Sequence, residues 1–181
     1  MGKMRQNWRM WSGAISDFQI AKIVSKAENI QKAETFNQGG SEVRSSRVAW
    51  LSDNKDILNM LFEYVEEANQ NHFKTHVYKK ADIQYTEYHA SEGGHYNWHH
   101  DIDWVRNDGL DRKLSVTVQL SEPHEYEGGN FEFSEVESPN SQSRAKGTVL
   151  VFPSYLSHRV MPVTRGIRKS LVAWFEGPTW Q

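Results

Sequence analysis

The chain has 181 residues, a formal net charge of −2 and 38% hydrophobic residues, with 7 Trp, 7 Tyr, 8 Phe and no cysteine. That is one domain's length of core-forming sequence; it excludes a disordered chain, disulfides and thiolate metal sites, and offers no bulk charge for nucleic acid. The N-terminal run MGKMRQNWRMWSG lacks the apolar centre of a signal peptide, and no segment approaches the roughly 18 apolar residues of a membrane span, so a soluble, cytoplasmic protein without a membrane partner is expected.

In chain order, residues 16–34 place Phe18, Ile20, Ile23, Val24, Ala27 and Ile30 at near-helical spacing, which predicts a first helix with Ser16 or Asp17 as its N-cap. FNQGGSE ends it as a loop, and RSSRVAWL reads as a strand. Residues 54–72 predict a second amphipathic helix with Ile57, Leu58, Leu61, Phe62 and Val65 on one side. After Lys80 the pattern changes to short β-rich runs: DIQYTEY, HYNWHHDID, KLSVTVQLS, NFEF, GTVLVF, HRVMPV and RKSLVAWF. Glycine, proline and polar turns separate them. The expectation is one α+β, mainly β domain over residues 1–181: a helical support region to residue 80, then a sandwich or jelly roll over 81–177.

The stretch HYNWHHDID carries the first chemical signal. Taken as a strand over residues 95–103, it puts His99, Asp101 and Asp103 on one face and His100 and Ile102 on the other. His99 and Asp101 are then ~6–7 Å apart at Cα, close enough to share one metal ion. A helical reading would pair His95 with His99, but it lacks the adjoining glutamate of that motif and starts on a glycine pair. A third ligand is needed, and the candidates are His124, in a turn-like stretch, and His158, at the start of a strand-like one. Two histidines and a carboxylate make a facial triad with three open cis positions, a set that suits Fe(II) or Mn(II) better than structural zinc. If the PVTRG turn closes a hairpin, His158 faces Arg168, with Ser170 two residues further on the same side. A guanidinium there would hold a carboxylate whose other end reaches the metal.

Together, YNWHHD, EYEGGNFEF and HRVMPVTRGIRKSLVAWF resemble the 2-oxoglutarate/Fe(II) dioxygenases, in the prolyl-4-hydroxylase-like branch that includes the PKHD-type hydroxylases. The similarity covers roughly residues 80–176 and is weaker over 1–50. It implies a double-stranded β-helix with supporting N-terminal helices, and iron ligands His99, Asp101 and His158. It further implies that Arg168 binds the distal carboxylate of 2-oxoglutarate, assisted by Ser170 or Tyr88. Tyr85, the competing tyrosine, lies on the opposite face of its strand. The implied activity is hydroxylation of a C–H bond with O2, coupled to decarboxylation of 2-oxoglutarate to succinate and CO2, with ascorbate as a supporting reductant. The implied substrate is a protein or peptide, with a prolyl residue as what the nearest branch implies and a free amino acid, nucleobase or small metabolite as the alternative.

Two other classes compete: a zinc or manganese hydrolase or isomerase on the same ligands, and a binding module that has lost turnover. The hydrolase would have no use for Arg168, and the module no reason to keep all four residues. His95 and His100 read as structural or substrate-facing, Asp103 as a loop residue or a support behind the metal ligands, and Trp98, Trp104 and Trp174 as packing or rim. Arg44 and Arg47 are either solvated or at the mouth of the site, which the sequence leaves open. Specificity is expected in the loops 104–112 and 134–146.

Overall fold

The computed structural model describes residues 6–180. Helix α1, Asp17–Lys26, starts at a capping box in which the Ser16 side chain accepts from the Gln19 N–H and the Gln19 side chain accepts from the Ser16 N–H. It stops earlier than the spacing predicts. Ala27 is extended, Asn29 has φ 53°, and residues 31–34 belong to a strand, β2 (Gln31–Phe36), hairpinned to β3 (Glu42–Trp50). The reason is burial: Ile20 and Ile23 reach the core, whereas Ile30 is exposed and QKAE offers no apolar face to continue it. Helix α2, Lys55–Ala68, forms as expected, its Asn54 side chain accepting from the Ile57 N–H, and it buries Ile57, Leu61, Val65 and Ala68.

The remaining strands are β1 (Arg9–Trp11), β4 (Ala81–His89), β5 (His95–His99), β6 (Leu110–Gln119), β7 (Tyr126–Gly128), β8 (Phe131–Phe133), β9 (Val149–Pro153), β10 (His158–Val160) and β11 (Val163–Pro178). They form one antiparallel, eleven-stranded sheet in the order β1-β9-β6-β11-β4-β3-β5-β10-β8, with β2 on β3 and β7 on β11. The sheet curls over at β3, whose second half pairs with β4 (Arg47↔Glu87 to Trp50↔Gln84) and whose first half pairs with β5 (Arg44↔Tyr96). Strands β5, β10 and β8 therefore face β4, β11 and β6 across a cleft, the jelly-roll arrangement that the strand count suggests.

Side-chain alternation divides the labour between the two sides of β6, β11 and β4. Leu114, Val116, Val118, Leu171, Ala173, Phe175, Ile83 and Tyr85 pack with the helices in the main core. Their neighbours Thr117, Arg168, Ser170, Gln84, Thr86 and Tyr88 line the cleft. Two strand assignments change with the structure. The strand carrying the histidines ends at His99, so Asp101 lies just beyond it, anchored by its N–H to the Ser154 carbonyl at 3.1 Å. The expected hairpin between β10 and β11 does not exist: β10 pairs with β5 and β8, while β11 starts against β7 and then runs between β4 and β6. A two-residue separation between β10 and β11 is spent crossing from one layer to the other instead of reversing within one.

The reversal from β4 to β5 depends on the glycine pair. Gly93 has φ 61°, and a Cβ on Gly94 would lie 2.6 Å from the His89 nitrogen. Leu61, fully buried beneath the sheet, tests the helix-side core. Leu61→Ala should lower the unfolding free energy by about 2–5 kcal/mol in urea titrations, with the slope unchanged.

Candidate metal and anion site

Three side chains converge at the end of β5. The metal-binding atoms of His99, Asp101 and His158 all lie within 4.8 Å of one another, and no other such trio occurs among the described residues. His99 Nε2 is 3.6 Å from Asp101 Oδ1, and His158 Nε2 is 3.5 Å from Asp101 Oδ2. The pairing His158↔His99 between β10 and β5 brings the two imidazoles together, with ring centroids 4.2 Å apart and planes inclined by 59°.

Both rings are oriented from behind. His99 Nδ1 is 2.7 Å from the Asn97 carbonyl and His158 Nδ1 is 2.8 Å from the Leu156 carbonyl. A carbonyl can only accept, so each Nδ1 carries the proton and each Nε2 presents its lone pair to the common centre. Tyr96 stacks on His99 at 3.5 Å, and Phe131 and Phe152 close around His158. Asp101 is buried, and its Oδ2 accepts a 2.6 Å hydrogen bond from Ser115 Oγ, itself 2.9 Å from Ser154 Oγ.

One cleft is lined by all three of these groups together with Arg168, Ser170 and Tyr88. Arg168 faces Tyr88 directly and Ser170 faces Thr86, so Arg168, Ser170 and Tyr88 share one face by strand register. Arg168 is 7% exposed and has no hydrogen-bond or carboxylate partner among the described residues; its guanidinium carbon sits 5.7 Å from the Tyr88 ring centroid. Burial pushes the Tyr88 phenol up, against the opposing pull of Arg44 and Arg168, so the hydroxyl stays protonated and available as a donor. Tyr85 points to the helix side and donates to Glu87 Oε1 at 2.7 Å. The choice between the tyrosines follows parity.

The other histidines stay apart from this centre. His95 turns to the Gly93 carbonyl, His100 to the Tyr155 carbonyl, and His124 lies in the exposed turn before β7. Asp103 is exposed and caps the Val105 N–H, as befits a loop residue, and not the metal-facing strand position first expected to align it with Asp101. Trp98 and Trp104 are exposed, while Trp174 lines the cleft with its indole N–H buried and without an acceptor among the described residues. Arg47 pairs with Glu92 on the outer face, whereas Arg44 enters the cleft. Ser115 is the residue that the motif reading misses. Its signal is present in LSVTVQL, where Ser115, Thr117 and Gln119 alternate with apolar residues and mark the cleft side of β6.

The donor set fits a hard or borderline divalent cation: two neutral imidazole nitrogens, one carboxylate and no sulfur. In the metal-free protein, burial and then His158 push the His99 imidazole down to about 4, although Asp101 pulls the other way. The unfolded chain takes up that proton near pH ~6.5. His99 therefore removes stability progressively as pH falls from about 6.5 to about 4, and removes none above that window. Metal-free urea midpoints should decline over this range, and His99→Gln should flatten the decline. Ser115→Ala should weaken Mn(II) binding roughly 10- to 100-fold by calorimetry, because the carboxylate loses its orienting donor.

Comparison with known proteins follows the same lines. The sequence matches the model of the 2OG-Fe(II) oxygenase superfamily over residues 83–176. A PKHD-type hydroxylase of Idiomarina loihiensis is 33% identical over 85 residues, 47% of this chain and 38% of the relative. The chain thus spans less than half the length of the curated relatives it matches. Among solved structures, a Pseudomonas putida prolyl-4-hydroxylase superposes with a TM-score of 0.70 at 20% identity, covering 96% of this chain and 94% of the other. A viral collagen prolyl hydroxylase of Paramecium Bursaria Chlorella virus-1, solved with 2OG, gives 0.68 at 19% identity, covering 95% and 97%. These similarities identify the curled sheet as a double-stranded β-helix.

Proposed function

Since the chain belongs to the 2OG-Fe(II) oxygenase superfamily, we propose that His99, Asp101 and His158 hold its iron(II) and that Arg168 receives the distal carboxylate of 2-oxoglutarate. The observation that carries this reading is one cleft containing two kinds of unmet demand. Three ligand atoms converge with free lone pairs, and a buried guanidinium in the same cavity lacks a counter-charge. A hydrolase on the same ligands leaves Arg168 without a purpose.

Iron(II) with 2-oxoglutarate and O2 supplies the oxidising power, releasing succinate and CO2 and adding one oxygen atom to a substrate C–H bond. The protein's own contributions are positional. His99, Asp101 and His158 would hold the ion by two imidazoles and one carboxylate, a set that would leave room on it for the cosubstrate. Ser115 and the Asn97 and Leu156 carbonyls hold that set in place before any ligand arrives. Arg168 offers a planar two-pronged donor that matches a carboxylate, with the Ser170 hydroxyl and the Tyr88 phenol beside it on the same face. Phe131, Phe152 and Val160 line the cleft near His158 with apolar surface, which limits water around the reacting groups. The substrate of this reading is a protein or peptide residue, with a prolyl ring as the first candidate and a free small molecule as the second.

Purified protein supplied with Fe(II), ascorbate and 2-oxoglutarate should release succinate above a no-enzyme blank, and His158→Ala should abolish that release. Succinate at the blank level, with hydrolysis supported by Zn(II), would overturn the oxygenase assignment. Arg168→Ala should weaken 2-oxoglutarate binding to the Mn(II)-loaded protein by roughly 100-fold while leaving Mn(II) affinity within about threefold, as read by calorimetry.

A further inference from the structure

A second arginine enters the same cleft. Arg44, on the half of β3 that bridges the two layers, lines the cavity beside Gln84 and Tyr96. Its Nε donates to Ser46 Oγ at 2.8 Å and its Nη2 to Gln84 Oε1 at 2.7 Å. Its guanidinium carbon lies 4.8 Å from the centroid of Tyr96, the ring that stacks on His99. The guanidinium is thus held by neutral groups one ring away from the metal-facing histidine, while Nη1 has no hydrogen bond among the described residues.

Charge separates this arginine from most of the others. Arg9, Arg47, Arg106, Arg112, Arg159 and Arg165 each have a carboxylate within ion-pair distance. Among the described arginines only Arg44, Arg144 and Arg168 have none, and Arg144 is engaged by the Gly128 and Tyr126 carbonyls and Asn130 Oδ1. Asp101 is the single carboxylate lining the cleft, against Arg44, Arg168 and the charge of a divalent ion. A doubly charged keto-diacid leaves one positive charge over, and Arg44 is the group that carries it.

Contacts distinguish the two cleft arginines. Arg168 stands opposite Tyr88, whereas Arg44 is tied to Gln84, which pairs with Val172. The Tyr88 phenol feels both guanidiniums, so the two arginines flank one cavity. Gln84 is also the register partner of Trp50, an exposed ring that packs against Trp174 in the cleft wall.

We infer that Arg44 is a specificity-determining residue that binds a carboxylate of the substrate, so the preferred substrates are acids: a free amino or other small carboxylic acid, or a peptide with an acidic side chain beside the hydroxylated residue. This inference rests on the oxygenase reading, because it assigns the cosubstrate to Arg168. Fork geometry matters as well as charge, since Ser46 and Gln84 fix the guanidinium plane and leave its outer edge for a bidentate contact.

The test uses protein loaded with Mn(II) and 2-oxoglutarate under argon, with tryptophan fluorescence as the binding readout. The probes are the free L-amino acids against their amides, and N-acetyl-Pro-Glu-amide against N-acetyl-Pro-Gln-amide. At least one acid should bind roughly tenfold or more tightly than its amide. The free acids and the dipeptide pair distinguish a main-chain carboxylate from a side-chain one. Arg44→Gln should bring that ratio close to one, and Arg44→Lys should retain part of it, which a merely unfolded variant would not do. Equal binding of acids and amides, including no binding by either, overturns the inference, as does a preference that survives Arg44→Gln. A larger loss of 2-oxoglutarate affinity than of acid affinity in Arg44→Gln reassigns Arg44 to the cosubstrate and also overturns it. Failure of the wild-type protein to bind 2-oxoglutarate at all is a separate result, and it removes the oxygenase reading itself.

Discussion

The alternation of side chains along β4, β6 and β11 is the constraint on which the rest of the molecule depends. These strands are adjacent in the sheet, and every second residue on them enters the core under α1 and α2. The residues between are forced to the other side, where Gln84, Thr86, Tyr88, Thr117, Arg168 and Ser170 make a polar wall. A one-residue slip in any of these strands would send Arg168 into the apolar core and Leu171 into the cleft. Core packing and site chemistry are therefore fixed by the same register. The apolar side supplies the stability that holds the polar side in a costly arrangement.

That arrangement is costly because charged and polar groups are removed from water. Asp101, His158 and Arg168 are all nearly inaccessible, and desolvation is unfavourable unless hydrogen bonds or counter-charges offset it. The structure offsets it unevenly. Asp101 receives Ser115, and the two imidazoles give their Nδ1 protons to backbone carbonyls, yet Arg168 has nothing comparable among the described residues. The groups left least satisfied are those that point at the shared cavity. A metal ion and an anion would each relieve a different part of that deficit, and a cost already incurred in folding would then favour their binding.

The two layers contribute different things. Strands β5 and β10 bring His99 and His158 together through direct pairing, and the turn after β5 swings Asp101 onto β9's end through Ser154. Strands β4 and β11 supply the arginine, serine and tyrosine opposite. Strand β3 joins the layers, and Arg44 sits on the half of it that pairs with β5 and lines the same cleft. Because β3 is continuous through both layers, its backbone is a rigid place from which to present a side chain to a bound substrate.

Sequence by itself determined the chemical types and their sides. His-x-Asp at residues 99–101, His158, Arg168 and Ser170 could be read as one set, and the period of two separated Tyr88 from Tyr85 and put Arg168 with Ser170. It also marked both helices, since their apolar faces repeat locally. Strand neighbours were another matter. The hairpin that PVTRG suggests would set Arg168 beside His158 on a neighbouring strand, whereas the two meet across a cleft from strands that do not pair. The helical spacing that ran on to Ile30 was cut short by β2, and Asp101 proved to lie past the end of its strand. Alternation puts Ser115 on the polar side of β6 and leaves Arg44 between solvent and the mouth of the site; tertiary contacts bring both into it. The physical reason is that alternation and helical period are local properties of a chain, legible over a few residues. Which strands lie side by side is decided by long-range burial and loop closure, and no short stretch of sequence contains that choice.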